Sequence, residues 1–445
     1  MLTGKSVVDG NVAYRDSHSS YSLRDFILNT PIFFRRILII LLIAFYVFIR
    51  VFVDRYSIHI VLPWWSASLC AFLVPVVALA HREDGGIRAK KVATFGRYSL
   101  IFLIPWAIFA VLSVLWMLEG VAGYYHLTRP IMELVKLTGV ACIIFGLGIE
   151  FGEKAADKFF AVIVVMYLVS FLYGLLCEGV GGFVSYLVDN SADVRKYYEV
   201  HDICLAMPMF IYYYWQMKPD ASHRKFKISL AILISIAGFK RIALAAAFVA
   251  LVLAYIVRIR KQRGIRFSEL LIQIGLFAFA LFWIVFTGSD LIENVAQEYG
   301  IDMMSRDVIY TFMRQYASLD FWQSLNGGKG IEFCNVRLLA ASGIELHNMT
   351  ISALHNDFLK LDIEMGFAGY LLWLAYTVFV VPVFLRSRFD ARAKTAYIML
   401  MVFSFIVYAT DNTTTYPVFQ IVLFVILGSA TFAEQFCADE GGAAQ

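Results

Sequence analysis

The chain has 445 residues, of which 60% are hydrophobic and only 16% charged. Soluble domains run at about 45–50% apolar and about 25% charged, so a water-soluble enzyme is excluded, and the 16% aromatic content with recurrent apolar runs excludes a disordered chain. The net charge of +4 is too small to mark a nucleic-acid binder, and six dispersed cysteines give neither a disulfide framework nor a zinc ribbon.

A membrane helix needs roughly 20 apolar residues to cross about 30 Å of hydrocarbon. In chain order, the apolar stretches predict helical spans at 36–54, 60–80, 98–118, 131–150, 159–177, 202–217, 228–239, 242–257, 269–287, 366–385, 395–410 and 416–434. The expected fold is an all-α polytopic membrane protein with about twelve transmembrane helices and one large loop. Residues 1–35 read as a cytoplasmic arm, with Arg24, Arg35 and Arg36 near the membrane, and run too far before the first apolar stretch for a cleavable signal. Residues 36–287 would hold spans one to nine, 366–434 the last three, and 435–445 a cytoplasmic tail.

Lys and Arg set the orientation. With the N-terminus inside, most of the 38 Lys and Arg fall on inside segments, including the clusters at 258–263 and 386–388. Both termini are therefore expected inside, and the basic balance follows from topology without any anionic partner. The segment 288–365 is the exception among short loops. Its 78 residues are expected outside, and a loop of that length is either functional or disordered. Met303, Met304, Ile309, Phe312 and Met313 predict a helix over about 303–318. A turn at Gly327-Gly328-Lys329-Gly330 follows, then a helix starting near Ser352.

Two groups of residues carry chemistry. Only 13 residues separate Lys227 from Arg241, about 20 Å of helix, so the tip of the seventh/eighth hairpin falls short of bulk water. Lys240 and Arg241 either snorkel to the interface or form an anion site opening outward. Arg suits pyrophosphate because its planar fork donates paired hydrogen bonds. The second group is the run from His355 to Gly369. His355 and Asp362, seven apart, are expected on one helical face, while Glu364 points away from His355. A histidine at the outer mouth of a membrane helix can take a proton near neutral pH.

The pattern His-Asn-x-aromatic-Leu-x-Leu-x-x-Glu-x-Gly-x-x-Gly, met here by His355, Asn356, Phe358, Leu359, Leu361, Glu364, Gly366 and Gly369, resembles the signature of the bacterial O-antigen ligase and repeat-unit polymerase superfamily. The order of features is similar too, over roughly residues 195–385: a short hairpin with Arg at its outer turn, two spans, a large periplasmic loop with an early Arg, a Gly-rich turn, and the His-Asn helix. The chain departs at the hairpin turn, Phe239-Lys240-Arg241-Ile242, where the family has Ser-Arg-Gly or Thr-Arg-Gly. It departs again at Asp362, where an apolar residue is usual.

The resemblance implies a fold like the C-type glycosyltransferases and transfer from undecaprenyl-pyrophosphate-linked glycans at the periplasmic face of the inner membrane, with no metal and no cofactor. It implies His355 as general base, with Arg241 and Arg306 holding the leaving pyrophosphate. Lys240, Arg195, Asn356, Arg314 and Lys329 are the candidate substrate-binding residues. No acidic pair is placed for a nucleophile, so inversion by single displacement is expected. Weaker candidates are Lys196, the Tyr124-Tyr125-His126 belt, the Glu133/Lys136 pair and His347. The donor is the lipid-linked glycan. The acceptor is a second glycan for a polymerase, or lipid A-core or protein for a ligase, and a chain-length regulator is a candidate partner. A twelve-span secondary transporter is the competing class. It is disfavoured because the polar groups gather outside and one late loop dominates.

Overall fold

The computed structural model describes residues 31–52, 58–80, 85–120, 128–189, 198–261, 267–300, 306–325, 327–341, 354–388 and 391–442. Among them every regular element is helical and none is a strand. Residues 1–30 of the expected N-terminal arm lie outside the described residues; Arg35 and Arg36 belong to the first helix.

Helices α1 (Ile32–Phe52), α2 (Ile58–Ala80), α3 (Gly85–Leu118), α4 (Thr128–Phe151) and α5 (Ala155–Asp189) are followed by α6 (His201–Tyr212), which continues as a π turn to Met217. The short hairpin is α7 (Arg224–Ala237) and α8 (Arg241–Lys261), and α9 is Phe267–Thr287. The long segment folds as α10 (Leu291–Tyr299), α11 (Arg306–Arg314), α12 (Phe321–Ser324) and α13 (Phe333–Ala341). Then come α14 (Asp357–Ala375), a second π turn, α15 (Val381–Arg388), α16 (Ala391–Tyr408) and α17 (Pro417–Gly442).

Within a residue or two at their ends, the described parts of the predicted apolar stretches fall on helical segments; residues 53–54 of the first lie outside the described residues. Among the described residues five stretches are long and apolar enough to cross a membrane, and four shorter apolar helices accompany them. Helices dominate because apolar surroundings offer the backbone no partner but itself. Prolines 63, 75 and 105 are carried inside α2 and α3. Helix α17 is apolar on all sides and buried from Tyr416 to Ser429, the pattern of a central helix.

One end of the bundle gathers a group of ion pairs. Glu150 takes the Arg35 guanidinium at 3.0 and 3.1 Å and Arg36 at 3.2 Å. Asp157 takes Lys227 at 2.7 Å and Lys218 at 3.4 Å, and Glu269 takes Lys394 at 3.1 Å. Along α16 Tyr408 lies about 21 Å from Lys394 at 1.5 Å per residue. The Lys136–Glu133 pair expected from its i, i+3 spacing is present at 2.7 Å.

Of the expected 303–318 helix, residues 303–305 lie outside the described residues; α11 runs over Arg306–Arg314 and gives way to a turn, and α13 was not anticipated. The helix expected near Ser352 begins at Asp357 instead. Asn356 is its N-cap, its side chain accepting from the Leu359 amide at 3.1 Å, and a capping residue takes extended rather than helical dihedrals. His355 therefore precedes the helix, with φ of 52°, and the expected common helical face with Asp362 does not exist. Met117, Ile309, Met313, Phe333, Leu338 and Ile363 give this region a small core of its own.

Helix α14 is broken at Gly366 (φ 72°, ψ 157°), and the Gly turn closes the break. The amides of Lys329 and Gly330 donate to the carbonyls of Ile363 (3.0 Å) and Glu364 (2.9 Å). Ser324 Oγ accepts from the Ala368 amide at 3.0 Å. Polar groups freed by the break are thus re-satisfied, as apolar surroundings require. Buried Lys360 meets Glu332 at 3.3 Å on the same junction. A Cβ on Gly328 would lie 2.2 Å from the Glu364 carbonyl oxygen and 2.4 Å from the Gly366 nitrogen, so backbone would have to move.

Gly328→Ala is expected to destabilise by about 2 kcal/mol or more through overpacking, lowering the thermal midpoint in detergent. Gly275→Ala, in mid-α9 with nothing within 4 Å, should leave it unchanged or raise it by helix propensity. Equal effects would contradict the tight turn.

Candidate active site

The site is assembled by an aromatic nest. Tyr198 packs its ring on Phe183 (5.1 Å), Tyr186 (5.2 Å) and Phe171 (5.4 Å), and Tyr186 also meets Phe239 at 5.1 Å. Tyr186 Oη donates to the Ala237 carbonyl at 2.8 Å. The residues that follow Tyr198 and Phe239 are thereby brought together: Glu199 and Lys240. Phe239 holds φ of 52°, an uncommon left-handed conformation that turns the chain at the hairpin tip.

Lys240 Nζ donates to Glu199 Oε1 and lies 3.1 Å from His201 Nε2. His201 Nδ1 lies 2.9 Å from the same Glu199 oxygen, and its Nε2 3.8 Å from Asp411 Oδ2. On the other side of Asp411, His355 Nδ1 is 3.4 Å from Oδ1. Tyr416 Oη (3.0 Å) and the Asn412 amide (2.8 Å) donate to that same oxygen. One chain of contacts thus joins Lys240, Glu199, His201, Asp411 and His355. The two carboxylates and Lys240 are buried, whereas the imidazoles of His201 and His355 keep 24% and 34% of their side-chain exposure. Both imidazoles therefore reach solvent with a buried carboxylate behind them.

His355 is fixed from several directions. Tyr310 Oη donates to its carbonyl at 3.2 Å. Asn356 Nδ2 donates to Thr287 Oγ1 at 3.1 Å, at the end of α9. Asp357 accepts from the Thr414 amide at 2.8 Å and from the Thr414 hydroxyl, tying the 411–415 turn to the start of α14. With Nδ1 directed at Asp411, Nε2 is the nitrogen left for a reacting group.

Burial by itself would raise the Asp411 pKa. The His355 hydrogen bond and the charges of His201, His355 and Lys240 outweigh it and hold the carboxyl well below the usual range. Tyr310 is pushed up to about 12 by burial, with the Arg306 charge working against the shift. Arg306 opens α11 half-buried, one turn before Tyr310, and so borders the His355 edge of the cluster.

The other candidates divide. Arg241 opens α8 with its side chain exposed, and among the described residues no carboxylate pairs with it. Lys240, the neighbour, is the hairpin cation drawn inward. Arg314 is occupied by Asp290 at 2.5 Å and Glu293 at 3.4 Å, away from the cluster. Lys329 lines a separate cavity of about 350 Å³ with Gln315, Gln323 and Asp362. Glu364 turns from His355 and accepts from the Cys334 amide at 3.1 Å. Arg195, Lys196, His347 and the Tyr124–His126 belt lie outside the described residues.

Glu199, His201, Asp411 and Tyr416 were not singled out from sequence. The available signal was an acid at the mouth of an apolar span, seen both in Glu199-Val200-His201 and in the Asp411-Asn412 turn. Among the described residues no three His, Cys, Asp or Glu side chains group as a metal site. No protein-family model matches the chain, and no curated protein matches it.

Asp411 is depressed on folding, so its ionisation contributes stability above the unfolded Asp pKa of about 3.9, and that contribution is lost as pH falls below it. Asp411→Asn is expected to lower the thermal midpoint at pH 5 by removing the charge that His201, His355 and Lys240 face. The wild-type advantage in thermal midpoint should shrink progressively below about pH 4. An advantage constant from pH 6 to pH 3 would contradict an ionised Asp411.

Proposed function

We propose that the chain is a polytopic inner-membrane glycosyltransferase that polymerises undecaprenyl-pyrophosphate-linked oligosaccharide repeat units at the periplasmic face. In this reading the chain crosses the membrane twelve times with both termini inside. The observation that carries it is the His355–Asp411 contact at one end of an apolar bundle, on the residue that the sequence motif marks.

The chemistry follows from the arrangement. An acceptor hydroxyl attacks the anomeric carbon of the donor sugar while its proton passes to His355 Nε2. The bond from that carbon to the pyrophosphate oxygen breaks, and the pyrophosphate leaves with the electron pair. Asp411 orients His355 through Nδ1 and balances the imidazolium as it forms, the usual division of labour for a carboxylate-backed histidine. Negative charge grows on the leaving group, and preplaced guanidinium groups stabilise it best in a water-poor site. Arg241, exposed at the hairpin tip, and Arg306, beside Tyr310, are suited to this. Lys240 is committed to Glu199 and serves to hold the hairpin tip against α6.

The test uses the purified full chain in liposomes with undecaprenyl-pyrophosphate repeat units as the only glycan. Wild type is expected to give a ladder of longer lipid-linked products. His355→Ala should lower the rate by about 10²–10⁴, the range for a general base, and Arg241→Ala should abolish detectable lengthening. A ladder unchanged in His355→Ala would refute the assignment. No ladder, but conjugate formation once lipid A-core is added, would move the chain to the ligase reaction.

A further inference from the structure

A second cavity, of about 480 Å³, lies among the ion pairs at the end of the bundle remote from His355. It is bounded by Phe33, Arg36 and Ile37 of α1, Lys91 of α3, Lys154 in the turn before α5 and Lys158 in its first turn, with Glu150 and Glu153 also in its wall. Four cations thus face two carboxylates. Glu150 is already held by Arg35 through two hydrogen bonds and by Arg36 through a third. Lys91 Nζ donates to the Ile149 carbonyl at 3.0 Å. Lys154 and Lys158 are exposed, and neither is ion-paired or hydrogen-bonded through its side chain to another described residue. The wall beside them is apolar and open, with Phe33 67% and Ile37 37% exposed, four residues apart on one face of α1.

We propose that this cavity binds the headgroup of an anionic phospholipid of the cytoplasmic leaflet. The phosphate would lie on Lys154 and Lys158, and the acyl chains along Phe33 and Ile37. Basic pockets between helices on the cytoplasmic side suit such headgroups, and each Lys or Arg near an anionic surface contributes roughly fivefold in binding. A free phosphate ester shares the headgroup chemistry but has no use for the apolar wall, and that difference separates the two sources. The leaflet rests on the orientation proposed above; the headgroup site itself does not need the glycosyl-transfer chemistry.

The experiment is native mass spectrometry of the delipidated full chain in detergent, titrated with dioleoyl phosphatidylglycerol or dioleoyl phosphatidylcholine. Wild type should retain phosphatidylglycerol at least about tenfold more tightly than phosphatidylcholine. The double variant Lys154→Ala, Lys158→Ala should lose that preference, and the Lys154→Arg, Lys158→Arg variant should keep it. Both lysines are exposed, so the lipid-free thermal midpoint of each variant should match wild type. Lys154→Gln with Lys158→Gln replaces the alanine pair if that pair does not fold. Equal retention of the two lipids by wild type, or an unchanged preference in the neutral variants, would overturn the site. Glycerol 1-phosphate displacing phosphatidylglycerol at equal concentration would overturn the lipid assignment in favour of a soluble phosphate ester.

Discussion

The break at Gly366 and the turn that seals it are the constraint on which the rest of the site depends. A helix interrupted in apolar surroundings exposes carbonyls and amides that nothing but protein can satisfy. Here the amides of Lys329 and Gly330 and the hydroxyl of Ser324 do so. Because the partners come from the long 288–356 segment, that segment is tied to α14. Its small core packs against the same helix through Leu359 and Ile363. The junction holds α14 at Ile363–Ala368, and the Asn356 cap sets its start at Asp357 with His355 just before it.

Charge is distributed to match. At the His355 end, buried carboxylates Glu199 and Asp411 are each met by cationic or protonatable groups from distant parts of the chain. At the other end, Glu150, Asp157 and Glu269 are each held by at least one cation. A buried carboxylate without such partners would be costly, so these pairs set which helix ends lie together. The shortness of the α7/α8 hairpin places its tip among the first group rather than beyond it.

Much of the helical layout was legible in the sequence, because long apolar runs leave the backbone one solution. Lys240 was legible as a cation below the surface from the 13-residue spacing of its hairpin. Which of Lys240 and Arg241 turns inward was not, since that depends on the left-handed Phe239 and on its aromatic contact with Tyr186. Reading His355 and Asp362 as one helical stripe failed for a local reason: Asn356 caps the helix and places His355 outside it. Asp411 was missed because its partner is 56 residues away, a pairing that no helical periodicity carries.

The proposed function requires the His355 cluster and the basic cavity to face opposite sides of one membrane, because it draws its lipid-linked donor from the outer face. Sidedness of labelling tests it most directly. In a background free of the native cysteines, Trp322→Cys, at an exposed position of the long segment, and Asp220→Cys, exposed between α6 and α7, would be treated with a membrane-impermeant maleimide in spheroplasts. The account predicts that position 322 is labelled in intact spheroplasts and position 220 only after permeabilisation. Labelling of both from the same side would contradict it.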